Sequence, residues 1–422
     1  MHVDDMILIS IDDHAIEPPD MFERHIPAKF KDRAPKIVKV GGIDKWIFND
    51  TETGSVGLNA VATWPKHEWG FDPVGFAEMR PGAYDIHARV RDMNVNGLLA
   101  SMCFPTFAGF AGTHLATAAA KDPESGRAVV SAYNDWHIDE WCGSYPGRFL
   151  PLGLLPTFDF DYMIAEIHRI AAKGCRAVTM PELPYGVGLP SFYGNDWDPV
   201  FSALCDEDMA ICMHIGGAYG MVQMAAEAPP DQIIMLAPQL SALTANHLII
   251  SGTFRKFPSL RVALSEGGIG WMPFYMDRLE RHVDNHQWTG LDIGGKPGQT
   301  PSEVFRDHFL GCFITDPSSL NLVDRIGEDI VAWECDYPHS DSTWPNSPEA
   351  LMGELNGAKI SDRVIEKITW ENAARFFRHD PFQHIAKEAA SVAALRKLAT
   401  DVDTSITPKA EYRRRYELAG SK

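Results

Sequence analysis

The sequence predicts an α/β fold, a (β/α)8 TIM barrel with an insertion after its first strand and a helical extension at its C-terminus. Two patterns predict it. Short apolar runs rich in β-branched residues recur eight times along the 422 residues, with longer amphipathic stretches between them. Each of these runs is mostly apolar, as expected of parallel strands buried on both faces. Strand–helix alternation repeated this often points to a closed barrel. The sequence carries no GxGxxG or P-loop that would favour an open doubly wound sheet.

The strands are expected at 7–14 (ILISIDDH), 97–105 (GLLASMCFP), 149–156 (FLPLGLLP) and 176–181 (RAVTMP). The remaining four are expected at 210–216 (AICMHIG), 261–267 (RVALSEG), 309–315 (FLGCFIT) and 330–336 (IVAWECD). Helical spacing marks 161–174, which ends at Gly174, a common helix stop. It also marks 196–208, with Asp196 as a candidate cap, then 270–285, and 361–378, which closes the series.

Residues 28–85 fall outside the repeat. Within them KIVKV and KWIFN, separated by GGID, read as a hairpin. The Trp-, Phe- and Pro-rich stretch 60–80, including WPKHEWGF, reads as an irregular loop able to cover the barrel mouth. The expected organisation is therefore a barrel over 1–380, with 28–85 as insertion or lid, and a helical tail over 381–422. That tail is Ala-rich and then basic, and is expected to pack on the barrel or on a neighbouring subunit.

Composition narrows the function. The formal net charge is -19, which repels phosphate backbones and anionic lipids, so neither nucleic acid nor membrane is an expected partner. No apolar run reaches the ~18 residues a membrane span needs. The segment MHVDDMILIS lacks a basic region and a small-residue cleavage site, and seven scattered cysteines include no CxxC pair. Free, buried thiols and a cytoplasmic setting are the expectation.

Function in such a barrel gathers at the C-terminal ends of the strands. There the chain places Asp12, Asp13 and His14 on strand one, His214 on strand five, Glu266 on strand six, and Asp336 on strand eight, followed by Tyr337, Pro338 and His339. Asp12 and His14 are two apart, so both point to one face and Asp13 points away. Each residue alone has a structural explanation. His214 could be a core histidine, Asp336 a helix N-cap, and Glu266 an acceptor for turn amides. Together they bring several carboxylates and imidazoles to one mouth, which is costly unless a divalent cation balances them. Histidine with Asp or Glu is a ligand set for Zn, Mn or Fe, with Zn expected first. The candidate ligands are Asp12, His14, His214, Asp336 and Glu266. Asp336, Glu266 and His339 are the candidate catalytic groups, the first two as acid or base and His339 as a further ligand or a support for one. His67 and Trp69, with Trp64, are candidate walls for a substrate. No arginine stands out as a carboxylate clamp, and Arg89 is expected at the surface or in a cap.

Several longer stretches carry a family resemblance. They are SIDDHAIEPP, RPGAYDIHARVRDMNVNG, AYNDWHIDEW with PGRFLPLG after it, CMHIGG, SGTFRKFPSLRVALSEGGIGWMPFYMDRLE, ECDYPH and ITWENAARFF. From about Leu8 to Phe377 the chain resembles the amidohydrolase superfamily branch that includes aminocarboxymuconate semialdehyde decarboxylase and γ-resorcylate decarboxylase. The resemblance implies one catalytic divalent metal on Asp12, His14, His214 and Asp336. It also implies a small carboxylic acid substrate, aromatic acids included, with a proton delivered to the carbon that loses CO2. Two positions depart from the branch: Glu266 stands where many members have histidine, and Asp12 replaces the first histidine of an HxH pair. Both add hard oxygen ligands. They leave open a decarboxylase, a hydrolase, a dinuclear Fe or Mn oxygenase, and a non-catalytic partner subunit. By fold analogy, a homo-oligomer or a hetero-oligomer with a related chain is expected.

Overall fold

The structure, a computed structural model, describes residues 1–70, 73–218, 225 and 227–420. Its strands run β1 (Ile9–Ala15), β2 (Lys36–Val40), β3 (Ile43–Phe48), β4 (Thr51–Ser55), β5 (Ala100–Pro105), β6 (Leu152–Leu154), β7 (Ala177–Thr179), β8 (Ala210–His214), β9 (Val262–Ser265), β10 (Phe309–Phe313) and β11 (Val331–Trp333). β6 to β11 form one parallel sheet in chain order, and β1 pairs in parallel with β5. A parallel bridge from Ser101 to Phe149 joins β5 to the β6 edge. At the other seam Asp336 N donates to Asp12 O at 2.7 Å and His14 N to Tyr337 O at 2.8 Å, which closes the ring of eight strands.

All eight barrel strands fall within the expected runs or extend them by one residue, but several are short. β6, β7 and β11 are three residues each, because the mouth-side residues leave the ladder to turn. Alternation sorts the rest. Ala177, Ala210, Cys212, Ala263 and Ala332 face the lumen, opposite the larger Ile9, Ile11, Met102 and Phe104 of β1 and β5. Val178, Ile211, Val262, Leu264 and Val331 face outward to the helices.

β1 breaks its own alternation. Ser10 lies opposite Ser101 and Asp13 opposite Cys103, so three steps on β1 match two on β5. Ile9 and Ile11 face the lumen, and strict period two would send Asp13 in after them. The extra residue of this β-bulge turns Asp12 and His14 inward instead. Asp13 points out, where its carboxylate accepts Tyr337 N at 2.9 Å and the Ser101 hydroxyl.

Helices fill the outer ring. Phe160–Ala172 is capped by Asp159, whose side chain accepts from Tyr162 N, and is followed by Gly174 at φ 91. Asp198–Asp206 starts after Trp197 with no side-chain cap, so Asp196 does not have the capping role expected of it. The last helical stretch runs as Asp362–Glu366, a π turn Lys367–Glu371 and Asn372–Phe376. Among the described residues no helix is long and apolar enough to cross a membrane.

The hairpin in the insertion gains a third strand: β2, β3 and β4 form an antiparallel sheet, with Gly41 and Gly42 both at positive φ in the first turn. Trp46 of β3 is fully buried against Phe22 and Phe107. Further on, Val61 N and Ala62 N both donate to Pro338 O, at 3.1 and 3.0 Å, which seats the insertion on the loop after β11. The tail passes beneath the barrel, where Val392 N donates to Met6 O at 2.9 Å, and ends in the helix Lys409–Gly420. That helix covers the insertion. Tyr412 packs with Val61 and Trp64, Lys409 Nζ sits 4.2 Å from the Trp64 ring, and Arg413 pairs with the buried Glu78.

Candidate metal centre

The lumen mouth gathers Asp12, His14, His214, Glu266, Asp336 and His339. His14 Nε2 lies 3.5 Å from Asp12 Oδ1 and 3.1 Å from Asp336 Oδ1. His214 Nε2 lies 3.3 Å from Asp12 Oδ2 and 3.2 Å from Glu266 Oε2. His339 Nδ1 lies 2.9 Å from Asp336 Oδ1, and its ring stacks on that of His14 with centroids 3.7 Å apart. Asp336 does not cap a helix; neither of its carboxylate oxygens has a hydrogen-bond partner.

Local backbone explains why these side chains meet. His214 ends β8 in register with the inward Ala210 and Cys212. Glu266 and Asp336 lie just past their strands at φ 56 and φ 60, in the left-handed region that non-glycine residues rarely adopt. For Glu266 this turn is decisive. Inward Ala263 and Ser265 would otherwise leave residue 266 facing outward.

Buried polar atoms normally find partners. Here both oxygens of Asp12 and Asp336, both ring nitrogens of His14, Nε2 of His214 and Nε2 of His339 find none. Ligand atoms of Asp12, His14 and His214 lie within 4.8 Å of one another, as do those of His14, Asp336 and His339. His214 Nδ1 is 2.5 Å from Ile215 O, so it carries the proton and leaves the Nε2 lone pair free. Burial lowers the pKa of His214 to about 4 and that of His14 well below the usual range, so both are neutral and able to ligate at pH 7. Burial, then the Glu334, Asp336 and Glu266 charges, pushes Asp12 up. Burial, then Asp336 and Asp341, pushes Glu266 up. Burial would also raise Asp336, but the His339 and His14 imidazoles outweigh it and hold its carboxyl below the usual range. Crowded carboxylates, neutral imidazoles and unpaired lone pairs are a donor set that fits a divalent cation.

The expected pocket walls are placed elsewhere. His67 is exposed, and Trp69, 38% exposed, donates its Nε1–H to Trp64 O at 3.0 Å. Trp64 is buried beneath the C-terminal helix and donates to Glu78 O at 2.8 Å. Among the described residues two phenylalanine rings lie on the cluster: Phe110, 4.2 Å from the His214 ring and 4.8 Å from that of His14, and Phe104, 4.9 Å from the His214 ring. Nor is Arg89 at the surface. It is 1% exposed, its Nε donates to Gly82 O at 2.6 Å, and its Nη2 donates to His14 O. Arg89 thus grips strand one from behind the site.

Three buried glutamates around the site escaped the sequence reading. Glu17 accepts Thr106 N at 3.0 Å and Phe107 N at 2.9 Å, tying β1 to the loop that carries Phe110; burial lifts its pKa to about 7. Glu182 accepts Ala218 N at 2.6 Å and so braces the loop after His214; burial lifts its pKa to about 8. Glu334 accepts Glu266 N at 2.9 Å. Each has apolar or proline neighbours (IEPP, MPELP, AWEC), a setting that could have marked it as a glutamate with a buried task.

Comparison with known proteins agrees with the barrel fold. A family model described as amidohydrolase matches residues 43–379. Among solved structures, an amidohydrolase from Mycobacterium avium subsp. paratuberculosis K-10 is 20% identical, with a TM-score of 0.68 over 88% of this chain and 99% of its own. The 5-carboxyvanillate decarboxylase of Sphingomonas paucimobilis is 20% identical, with a TM-score of 0.62 over 89% of this chain and 99% of its own. A dihydroxybenzoic acid decarboxylase from Polaromonas sp. JS666, solved with manganese and the inhibitor 2-nitroresorcinol, is 17% identical, with a TM-score of 0.54 over 88% of this chain and 96% of its own.

Proposed function

The chain belongs to the amidohydrolase family, and on that premise we propose that it is a metal-dependent carboxy-lyase acting on a small, aromatic carboxylic acid. The observation that carries this reading is the set of buried, unpaired ligand atoms on Asp12, His14, His214 and Asp336 at the barrel mouth. These four residues would hold the metal, with Glu266 beside His214. The similar folds of decarboxylases for carboxyvanillate and dihydroxybenzoate support the substrate class. Manganese in one of them suits the oxygen-rich set here at least as well as zinc does.

When bound, the metal supplies positive charge to orient the substrate's oxygens and stabilise the negative charge that develops as CO2 departs. In that reaction the C–C bond to the carboxylate breaks and a proton takes its place on the same carbon. The chain offers two carriers for this proton. Glu266 is raised by burial and neighbouring charge, so it holds a proton more readily than an ordinary glutamate, and its side chain is 18% exposed to the mouth. The Asp336–His339 pair, with Nδ1 and Oδ1 2.9 Å apart, is the second. Phe110 covers the two ligand histidines and keeps water off that side. The test is CO2 release from dihydroxybenzoates and carboxyvanillates by protein reconstituted with manganese or zinc. Release that depends on metal and is abolished in Asp336→Asn supports the reading; no turnover of any aromatic acid overturns it.

The second ligand group, His14, Asp336 and His339, favours one alternative: a dinuclear centre, as a hydrolase or an Fe or Mn oxygenase would use. About two equivalents of metal per chain, with one lost in Glu266→Ala, would select it.

A further inference from the structure

Two strands that are not neighbours end in carboxylates facing the same lumen. Glu266 follows β9 and Glu334 follows β11, with β10 between them. The paired register of β9 with β10 stops at Leu264 and Gly311. Beyond it the Glu266 N–H would be left without a backbone partner, a costly state for a buried amide. Glu334 supplies one: its Oε1 accepts Glu266 N at 2.9 Å. Glu334 is itself fully buried, held in place by Glu334 N donating to Phe313 O at 3.0 Å, and its second oxygen has no partner.

The bond falls on the residue whose backbone must be unusual. Glu266 sits at φ 56, a conformation that non-glycine residues rarely adopt. Such a conformation persists only where the surroundings fix it. It is also what turns the Glu266 side chain into the lumen, 3.2 Å from His214 Nε2.

We propose that Glu334 is a positioning residue: its buried carboxylate reaches past β10 to fix the Glu266 backbone in the turn that presents the Glu266 carboxylate to His214 and the metal. The proposal rests on the metal centre described above. It assigns a job to the glutamate two residues before Asp336, on the same face of the last strand. Gln at 334 keeps the acceptor oxygen. Asp keeps the charge but is one methylene too short to reach. Met keeps the bulk and removes the acceptor.

The test is manganese titration of metal-stripped protein by calorimetry, with thermal unfolding of each metal-free variant measured alongside. Glu334→Gln should bind manganese within about threefold of wild type. Glu334→Asp and Glu334→Met should each weaken it by about 10- to 100-fold, the usual cost of losing a group that orients a ligand. Glu266→Ala should weaken it comparably, and Glu334→Met added to Glu266→Ala should cost little more, because both act through one side chain. Wild-type affinity in Glu334→Asp or Glu334→Met, with Glu266→Ala impaired, overturns the positioning role and leaves the metal centre intact. Wild-type affinity in Glu266→Ala removes Glu266 from the metal site and the proposal with it. If Glu334→Met fails to fold, Glu334→Asp decides alone. Lower thermal stability without lower affinity would show a purely structural residue and also overturn the proposal.

Discussion

His137 makes the fold acid-sensitive through one identifiable group. It lies in the π turn Trp136–Cys142, fully buried, with neither ring nitrogen hydrogen-bonded and the Tyr133 ring stacked 5.7 Å away. Burial alone pushes its pKa down from 6.5 to about 3. Above pH 6.5 the imidazole is neutral in both folded and unfolded chains, so it adds no pH dependence there. As pH falls from 6.5 towards 3 the unfolded chain takes up a proton that the folded chain refuses, so stability is lost across that window. At about 1.36 kcal/mol per unit, the loss from this residue between pH 7 and pH 5 is about 2 kcal/mol. With an unfolding entropy of roughly 2.1 cal/mol/K per residue over the whole chain, that is a Tm change of about 2 °C. His137→Phe keeps an aromatic ring beside Tyr133 and removes the titration. The assay is calorimetric Tm of wild type and variant at pH 7 and pH 5. The variant should lose about 2 °C less than wild type between the two. Equal losses would refute the assignment and mean that His137 is solvated or paired in the folded protein.

Other substitutions test other links in the structure. Trp64→Ala should cost about 3–5 kcal/mol, since it empties a fully buried aromatic site. It should also expose the 405–420 segment to limited proteolysis before any other part of the chain is cut. Arg89→Ala should cost about 3–5 kcal/mol in urea unfolding, because it leaves the His14 and Gly82 carbonyls and the nearby Asp13 without their buried cation. Arg89→Lys should not restore it, since one ammonium cannot span both carbonyls as the guanidinium does.

Much of this molecule is legible in its sequence, for physical reasons that also show where legibility ends. The barrel strands announce themselves because burial on two faces favours apolar residues at most positions, with the polar ones gathered towards the strand ends. The cluster of Asp12, His14, His214, Glu266 and Asp336 is legible because strand ends converge in a barrel. That Asp12 and His14 share the inner face follows from their spacing, but which face is inner depends on the β1 bulge. A bulge is a property of strand pairing and leaves no mark in ISIDDHA. Glu266 reaches the lumen only through a left-handed turn, and Glu334 is hidden because a glutamate in an apolar run looks like noise until its partner is seen. His67 and Trp69 draw attention for their chemistry, yet the aromatic loop serves the C-terminal helix, a contact between residues more than three hundred positions apart.

The central claim is that Asp12, His14, His214 and Asp336 hold a divalent metal. The most direct measurement is metal content per chain, by elemental analysis after incubation with manganese or zinc and removal of free ions, for wild type and for Asp12→Asn combined with His214→Ala. Retention of about one equivalent or more in wild type, with almost none in the folded double variant, is the predicted result. A wild-type chain that retains no metal, or a double variant that retains as much as wild type, would contradict the account.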